Sequence, residues 1–215
     1  MFGPSRWHAA WKVARMPTPL APRPVVAPTL ALLAWLALAG ALALAGIVAR
    51  VGPLIAPLGI GGGVALGLLA YTRSPAVRAW TRARSLRHLI FYQALRAPIG
   101  AAFLVLAAHG RLPHEFADLA GWGDIAAGLG ALAAAACVPA STPLRRRVVL
   151  LWSLAGLVDI LLVVATAQYL IIGLGHRGML AAFTDMPAMA MLPLFVVPTV
   201  ILAHLAVLLR LRPGT

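Results

Sequence analysis

Charged residues are scarce in this chain, and acidic residues are scarcer still. Only 11% of the 215 residues are charged, and five of them are Asp or Glu. Hydrophobic residues make up 62% of the chain, far more than the core of a soluble domain needs. A chain of this composition would aggregate in water, so the composition excludes a soluble globular protein.

Cysteine and the usual catalytic motifs are also lacking. Cys137 is the single cysteine, so no internal disulfide can form, and we interpret it as a packing residue. The sequence contains no Walker loop, no dinucleotide-binding glycine fingerprint and no His-Glu-x-x-His helix. The glycine run 61–63 lies inside an apolar block, which argues against phosphate binding. We therefore predict no catalytic residues.

The hydrophobic residues run in blocks close to 20 residues long. A helix of that length crosses the roughly 30 Å of hydrocarbon in a bilayer. We predict an all-α, polytopic transmembrane helix bundle that forms one domain over residues 25–215. Its six spans are expected at about 29–48, 54–71, 88–108, 120–139, 148–172 and 191–209, with a tight turn between the first two at Arg50, Gly52 and Pro53.

The cations between these blocks predict the orientation. Lys and Arg are retained on the cytoplasmic side during insertion, and alternate segments differ sharply in their number. Both termini are therefore predicted to be cytoplasmic. This placement between spans indicates membrane orientation and not a nucleic-acid-binding face, despite the formal net charge of +13. The predicted inner cations beyond the N-terminal segment are Arg73, Arg78, Arg82, Arg84, Arg87, Arg145, Arg146, Arg147, Arg210 and Arg212, and the predicted outer charges are Arg50, Arg111, Arg177, Glu115, Asp118 and Asp185.

Residues 1–24 form a basic segment ahead of the first span. It contains four cations and two tryptophans four residues apart, which is typical of an amphipathic segment on an anionic leaflet. A cleavable signal peptide is the alternative, but its hydrophobic part would be too long. Anionic lipids are accordingly the predicted partners of this segment and of the basic inner loops.

Small residues predict where helices approach closely. In lipid, helix association depends on close backbone contact, which glycine permits. Gly59, Gly63 and Gly67 form one such stripe on the second span. We expect it to pack against another helix, and we assign to it the predicted contact with a second copy or a membrane partner subunit.

The ionisable residues inside the apolar blocks are the candidate functional residues. Each costs about 2.5 to 3.5 kcal/mol on insertion scales, so each needs a partner. Arg96 lies about 12 Å into the third span and Asp159 about 16 Å into the fifth, a gap that an arginine side chain can close. Tyr92 and Gln93 lie beside Arg96, and His204 lies on a last span that Pro193 and Pro198 should kink.

Two interpretations of this polar set are open. In the first, Arg96 and Asp159 neutralise one another and fix the helix register, while Asp124 caps its helix at the outer interface. In the second, the residues form a pathway for a proton or solute. That polar trail would run from His204 through Arg96 and Asp159 to Asp124, and then to His109, His114 and Glu115.

Two cofactor hypotheses rest on the histidines and methionines. His88 and His204 could supply the two axial ligands of a haem, although two histidines without a recognisable spacing more often form ordinary hydrogen bonds. An outer segment combines His176 with four methionines, a set that suits Cu(I) but is more typical of adaptable packing. We predict no bound cofactor or metal. The methionines are Met179, Met186, Met189 and Met191.

One set of residues from Gln93 onward supports a resemblance to a known group: Arg96, Pro98, Gly100, Leu112, Pro113, Phe116, Gly121, Gly123, Asp124, Gly156, Asp159, Val197, Pro198, Thr199 and His204. On these residues the chain resembles a group of uncharacterised bacterial integral membrane proteins. The resemblance implies a six-span fold in a bacterial cytoplasmic membrane and carries no activity; Ser153 departs from the asparagine expected there. Three functions remain: a small-solute or proton-linked transporter using Arg96 and Asp159, a non-catalytic accessory or assembly subunit, and a haem or redox protein.

Overall fold

A computed structural model describes residues 26–211, and within this range the chain is helical with no β-strand. The basic segment predicted over residues 1–24 lies outside the described residues. Nine helices, some of them containing a tighter or wider turn, follow one another along the described chain. They are α1 (Val26–Leu44), α2 (Ile47–Leu54), α3 (Pro57–Arg73), α4 (Pro75–Ala83), α5 (Leu86–Ala108), α6 (His114–Ala136), α7 (Pro143–Gly173), α8 (Arg177–Asp185) and α9 (Pro187–Arg210).

Five of these helices, α1, α5, α6, α7 and α9, are long and apolar enough to cross a membrane. Helices α2 and α3 meet the same test together, but they are bent by 85° at their junction, and counting them as one broken span gives six. The prediction of an all-helical chain with several membrane-length helices is therefore confirmed. The predicted tight turn between the first two spans is wrong, because the short helix α2 occupies that place.

Glycine and proline explain where the observed boundaries differ from the predicted ones. Gly46 and Gly52 flank the first turns of α2 with φ of 67° and 64°, a conformation that permits two sharp changes of direction. Helix α6 begins at His114, six residues before the predicted span, directly after Pro113. Its first turns are polar, so an apolar window on the sequence misses them although they are helical.

Helix α9 occupies the middle of the bundle and packs against α1, α3, α5 and α7. The glycine stripe of α3 lies directly on it. A Cβ atom on Gly59 would meet the carbonyl oxygen of Pro193 at 2.7 Å, and one on Gly63 would meet the Pro198 ring at 2.9 Å. Gly67 faces the side chain of Leu202 in the same way. The stripe is thus covered within the chain, so placing a partner subunit or second copy on it is wrong.

The prolines of α9 loosen its backbone, as the sequence predicts. Leu192–Val196 form a π-helical turn between two α-helical segments. Because Pro198 has no N–H, the carbonyl of Leu194 loses its normal intrahelical donor. The indole N–H of Trp35 donates to that oxygen at 3.0 Å instead, which ties α1 to α9. A neighbouring helix thereby satisfies a backbone group that proline leaves free.

The closest helix pair is α5 with α6, and small residues allow this approach. A Cβ on Gly100 would meet Asp124 Cβ at 2.9 Å, and a Cβ on Gly128 would meet Ala97 Cβ at 2.8 Å. The two backbones can therefore lie almost in contact over two turns. Because Arg96 directly precedes Ala97 on α5, its side chain starts close to α6.

The two ends of the bundle differ in charge. Nine of the described arginines lie at one end of the bundle, where contacts between loops bring them together. Within residues 26–211, this end has no acidic residue. There Arg87 donates to the carbonyl of Val138 at 2.6 Å, and Nε of Arg146 donates to that of Leu211 at 3.0 Å. The opposite end, covered by α2 and α8, carries Arg50, Arg111, Arg177, Glu115, Asp118 and Asp185.

Candidate functional site

Arg96 is the centre of a buried charged cluster between α5, α6 and α7. Its Nε donates to Oδ1 of Asp124 at 2.6 Å, and its Nη1 donates to the carbonyl oxygen of Gly156 at 3.0 Å. Its Nη2 donates to Oδ2 of Asp159 and lies 2.5 Å from Oδ1 of Asp124. The guanidinium thus bridges two carboxylates and one backbone carbonyl. We call Arg96, Asp124 and Asp159 the charged triad.

The helices bring the triad together at mid-length. Asp124 is ten residues into α6, about 15 Å along it, and Asp159 is sixteen residues into α7, about 24 Å along it. The structure thus brings Arg96 and Asp159 together at the pair of positions that the sequence singled out. The placement of Asp124 as an interfacial cap is wrong, because α6 begins six residues earlier than predicted and carries Asp124 inward.

The triad contains two acidic groups and one basic group. Within the described residues no further charged side chain contacts it. His204 lies nearby on α9, since its ring and the guanidinium of Arg96 both approach Gly156. A Cβ atom added to Gly156 would lie 2.8 Å from the nearest atom of the His204 ring and 3.5 Å from Nη1 of Arg96. With both carboxylates ionised, the triad carries one uncompensated negative charge.

His204 does not supply the missing positive charge. Its side chain is completely buried, its Nδ1 lies 3.1 Å from the Ser153 hydroxyl, and its ring packs on Trp152 with centroids 5.3 Å apart. Its Nε2 has no hydrogen-bond partner among residues 26–211. An imidazolium here would bury a charged N–H without an acceptor, so the ring is neutral.

The two carboxylates of the triad differ in exposure. The side chain of Asp124 is 5% exposed and that of Asp159 is 26% exposed, while Arg96 is 2% exposed. Asp159 faces α6 at Gly123, where an added Cβ would overlap its Oδ1. Its neighbours one turn away on α7, Ala155 and Leu162, are exposed on the outside of the bundle. Asp159 therefore opens sideways, between α6 and α7.

A small cavity lies on the other side of the triad. It measures about 50 Å³, and its polar lining consists of Arg96 and Asp124. The rest of the wall is apolar. It extends toward the end of the bundle that α2 and α8 cover, where Phe116 and Phe183 line it. A water needs about 10 to 15 Å³ of such space, so the cavity has room for a few waters, whereas a pocket for a drug-sized ligand needs roughly 300 Å³ or more.

The remaining polar residues singled out on α5 bind α9 and not the triad. The hydroxyls of Tyr92 and Thr199 lie 2.6 Å apart, and the amide nitrogen of Gln93 donates to the carbonyl of Val200 at 3.0 Å. Both contacts fix α5 against the central helix. They hold the turn of α5 that precedes Arg96.

The predicted polar trail does not reach the outer end. His109 is exposed and its ring lies 2.8 Å from the carbonyl of Val105 on its own helix. His114 and Glu115 are also exposed, at the start of α6. Buried apolar residues, including Phe116 and Ala120, separate them from the triad. Continuity of the trail beyond Asp124 is therefore wrong, because the inward face of the first turns of α6 is hydrophobic.

The histidine and methionine candidates lie in separate surroundings. His88 is exposed at the start of α5 and its Nδ1 lies 2.8 Å from the Ser85 hydroxyl, whereas His204 is buried, so the pair does not face one pocket. Nδ1 of His176 accepts the backbone N–H of Met179 at 3.2 Å and caps α8. The four methionines, Met179, Met186, Met189 and Met191, pack in one apolar cluster with Phe103 and Phe116.

The carbonyl of Gly156 is the one member of the site that sequence reasoning missed. Glycine at this position leaves room for the His204 ring and for the guanidinium of Arg96. The signal was present in the sequence, since Gly156 stands one turn before Asp159 on the same face of α7. Ser153, one turn earlier again, binds the His204 ring.

Residues 53–212 match the family model described as Domain of unknown function (DUF8737). The chain belongs to this family. The matched segment contains α3 to α9 almost entirely, and with them all three residues of the triad, whereas α1 lies outside it. No curated protein and no solved structure matches the chain.

Proposed function

We propose that the protein is a multi-pass protein of the bacterial cytoplasmic membrane, with six spans and both termini inside. The charge difference between the two ends of the bundle supports this orientation, since arginine-rich loops are retained in the cytoplasm. Four arginines of the basic end, whose side chains are exposed and form no hydrogen bond within residues 26–211, would meet anionic lipid headgroups. They are Arg73, Arg82, Arg145 and Arg147.

Cysteine labelling tests this orientation. In a Cys137→Ser background, Arg82→Cys and Arg146→Cys should react with an impermeant maleimide only after the inner face is opened. Arg111→Cys should react in intact cells. Labelling of positions 82 and 146 from opposite faces would refute the orientation.

We further propose that the protein is a proton-linked transporter whose coupling site is the charged triad. The observation that carries this proposal is the charge inventory of Arg96, Asp124 and Asp159: two carboxylates share one guanidinium at mid-helix. An uncompensated charge inside hydrocarbon is expensive, so the second carboxylate has to bind a proton or a cation. Reversible binding of a proton at such a site is the elementary step of proton-coupled transport.

Infrared difference spectroscopy of the reconstituted protein tests the proton site. A pH step should reveal a protonated carboxyl band that Asp159→Asn or Asp124→Asn removes or shifts. Asp185→Asn, which neutralises an exposed acid at the end of α8, should leave the band unchanged. An identical spectrum in all four proteins would mean that both buried carboxylates stay ionised, and the proposal would then be wrong.

A non-catalytic accessory subunit is the second candidate, and one observation favours it. Every nitrogen of the Arg96 guanidinium is bonded within the chain, which is typical of a residue that fixes helix packing. A triple variant that removes all three charges of the triad, Arg96→Leu with Asp124→Asn and Asp159→Asn, distinguishes the two functions. In cells that lack the native gene, an accessory subunit with this triad should restore the wild-type phenotype. A transporter should fold and fail to do so.

A further inference from the structure

The side opening at Asp159 has a defined shape and surroundings. Asp159 is the one residue of the triad that is substantially exposed, and it does not line the internal cavity. Around it stand Gly123 and Ala126 of α6 and Ala155 and Leu162 of α7, three of them small. The result is a partly exposed carboxylate in a surround of small and apolar residues. We call it the lateral notch.

The notch is the side on which the triad is exposed at the surface of the bundle. The internal cavity of about 50 Å³ holds a few waters and no organic solute. The notch instead faces the hydrocarbon of the bilayer in the proposed topology, about 24 Å along α7 from Pro143. A ligand reaching Asp159 by this route has to partition into lipid first.

The charge of the triad determines whether that ligand is a cation or an anion. With both carboxylates ionised, the triad carries one negative charge in excess, and His204 is neutral, so a single positive charge balances it. A second anion would add to the excess, and a dication would reverse it. The apolar rim favours a ligand that surrounds its charge with hydrocarbon or aromatic groups.

We propose that the lateral notch is a binding site for amphiphilic monocations that enter from the bilayer and exchange with the proton of the triad. The inference rests on the proposed proton site and names its substrate class. Binding places the cation against the free Oδ1 of Asp159, while Oδ2 keeps its bond to Arg96. One cation enters and one proton leaves, so the charge of the site is the same before and after.

Tetraphenylphosphonium is a suitable probe, with the neutral triphenylphosphine oxide as its control. Full-length protein in lipid nanodiscs should bind the cation saturably and release about one proton per cation in weak buffer. Binding should weaken as pH falls, because protons compete for the same carboxylate. Asp159→Asn should lower the affinity at least about tenfold, which is the effect of losing one charged contact.

Matched variants test the notch separately from the charge. Ala155→Leu covers the notch and keeps all three residues of the triad, so it should abolish cation binding and keep the carboxyl band of the proton site. Ala165→Leu adds the same bulk on the same helix, away from the notch, and should bind as the wild type does. Asp185→Asn should also be silent.

Several results would overturn the inference. Absence of saturable cation binding, equal affinity for the neutral control, or full binding by Ala155→Leu would each do so. A disulfide between two copies of Ala155→Cys in a Cys137→Ser background, with no cation binding, would assign the notch to a dimer instead. In all of these cases a persisting carboxyl band would leave the proposed proton site standing.

Discussion

Removing Arg96 is expected to be far more destabilising than neutralising Asp159, although both changes break the same ion pair. Arg96→Leu leaves the buried carboxylate of Asp124, the partly exposed carboxylate of Asp159 and the Gly156 carbonyl without a donor. Breaking a buried pair in this way costs about 3 to 5 kcal/mol. Asp159→Asn leaves a one-to-one pair of Arg96 with Asp124, and the new amide oxygen can still accept from Nη2. Because Asp159 is also partly exposed, its loss should cost about 1 kcal/mol or less.

Equilibrium unfolding in mixed micelles measures this difference. The folded fraction of each variant is followed by tryptophan fluorescence as the mole fraction of dodecyl sulfate increases. The gap between Arg96→Leu and Asp159→Asn should be about 2 to 4 kcal/mol in free energy of unfolding. Equal destabilisation by the two variants would refute the conclusion that two carboxylates share one guanidinium. An Arg96→Leu protein with the same free energy of unfolding as the wild type would refute it as well.

The same measurement distinguishes a pair from a triad. In a simple pair, the double variant Arg96→Leu with Asp159→Leu would recover the stability that Arg96→Leu loses. In the triad it leaves Asp124 buried without its donor, so recovery should be small. Adding Asp124→Asn should then restore most of the loss.

Two further variants test the packing that builds the site. Gly100→Ala should lower stability by about 1 to 3 kcal/mol in the same assay, because the new methyl group meets α6, whereas Gly61→Ala has open space and should be neutral. Trp35→Phe should cost about 1 to 3 kcal/mol, because the carbonyl of Leu194 loses its donor, and Trp122→Phe, on an exposed side chain, should change little. A neutral Trp35→Phe variant would show that another group satisfies that carbonyl.

The sequence was sufficient to predict the helical class and to single out Arg96 and Asp159 as a candidate pair, but it left open whether the two residues meet. Block length predicts the spans, and helical rise places both residues at similar depth. The cost of a lone charge in hydrocarbon then predicts that each needs a partner, and makes the other residue a candidate for it. Whether the two side chains meet depends on which helices are neighbours, and the structure shows that α5 and α7 are close enough for the contact.

Helix adjacency explains what could not be predicted. The depth of Asp124 depends on where α6 begins, and the polar residues from His114 onward conceal that start from a hydropathy window. The glycine stripe ending at Gly67 has the same appearance whether a partner or the chain's own α9 covers it. Only the tertiary structure shows that α9 is central.

The hydrogen bonds of the triad favour a structural role, whereas its excess of acidic groups favours ion binding. The two observations concern different residues of the triad, so these residues have separate roles. The contacts of Arg96 with Asp124 and Gly156 are buried and fully formed, so this half of the site fixes α5 against α6 and α7. Asp159 adds the charge that the guanidinium does not balance, and it is also the residue that is partly exposed. An exchangeable ion must bind where charge is in excess and access exists, and both conditions are met at Asp159. A rigid Arg96 with Asp124 therefore does not argue against transport, because it holds in place the carboxylate at which exchange would occur.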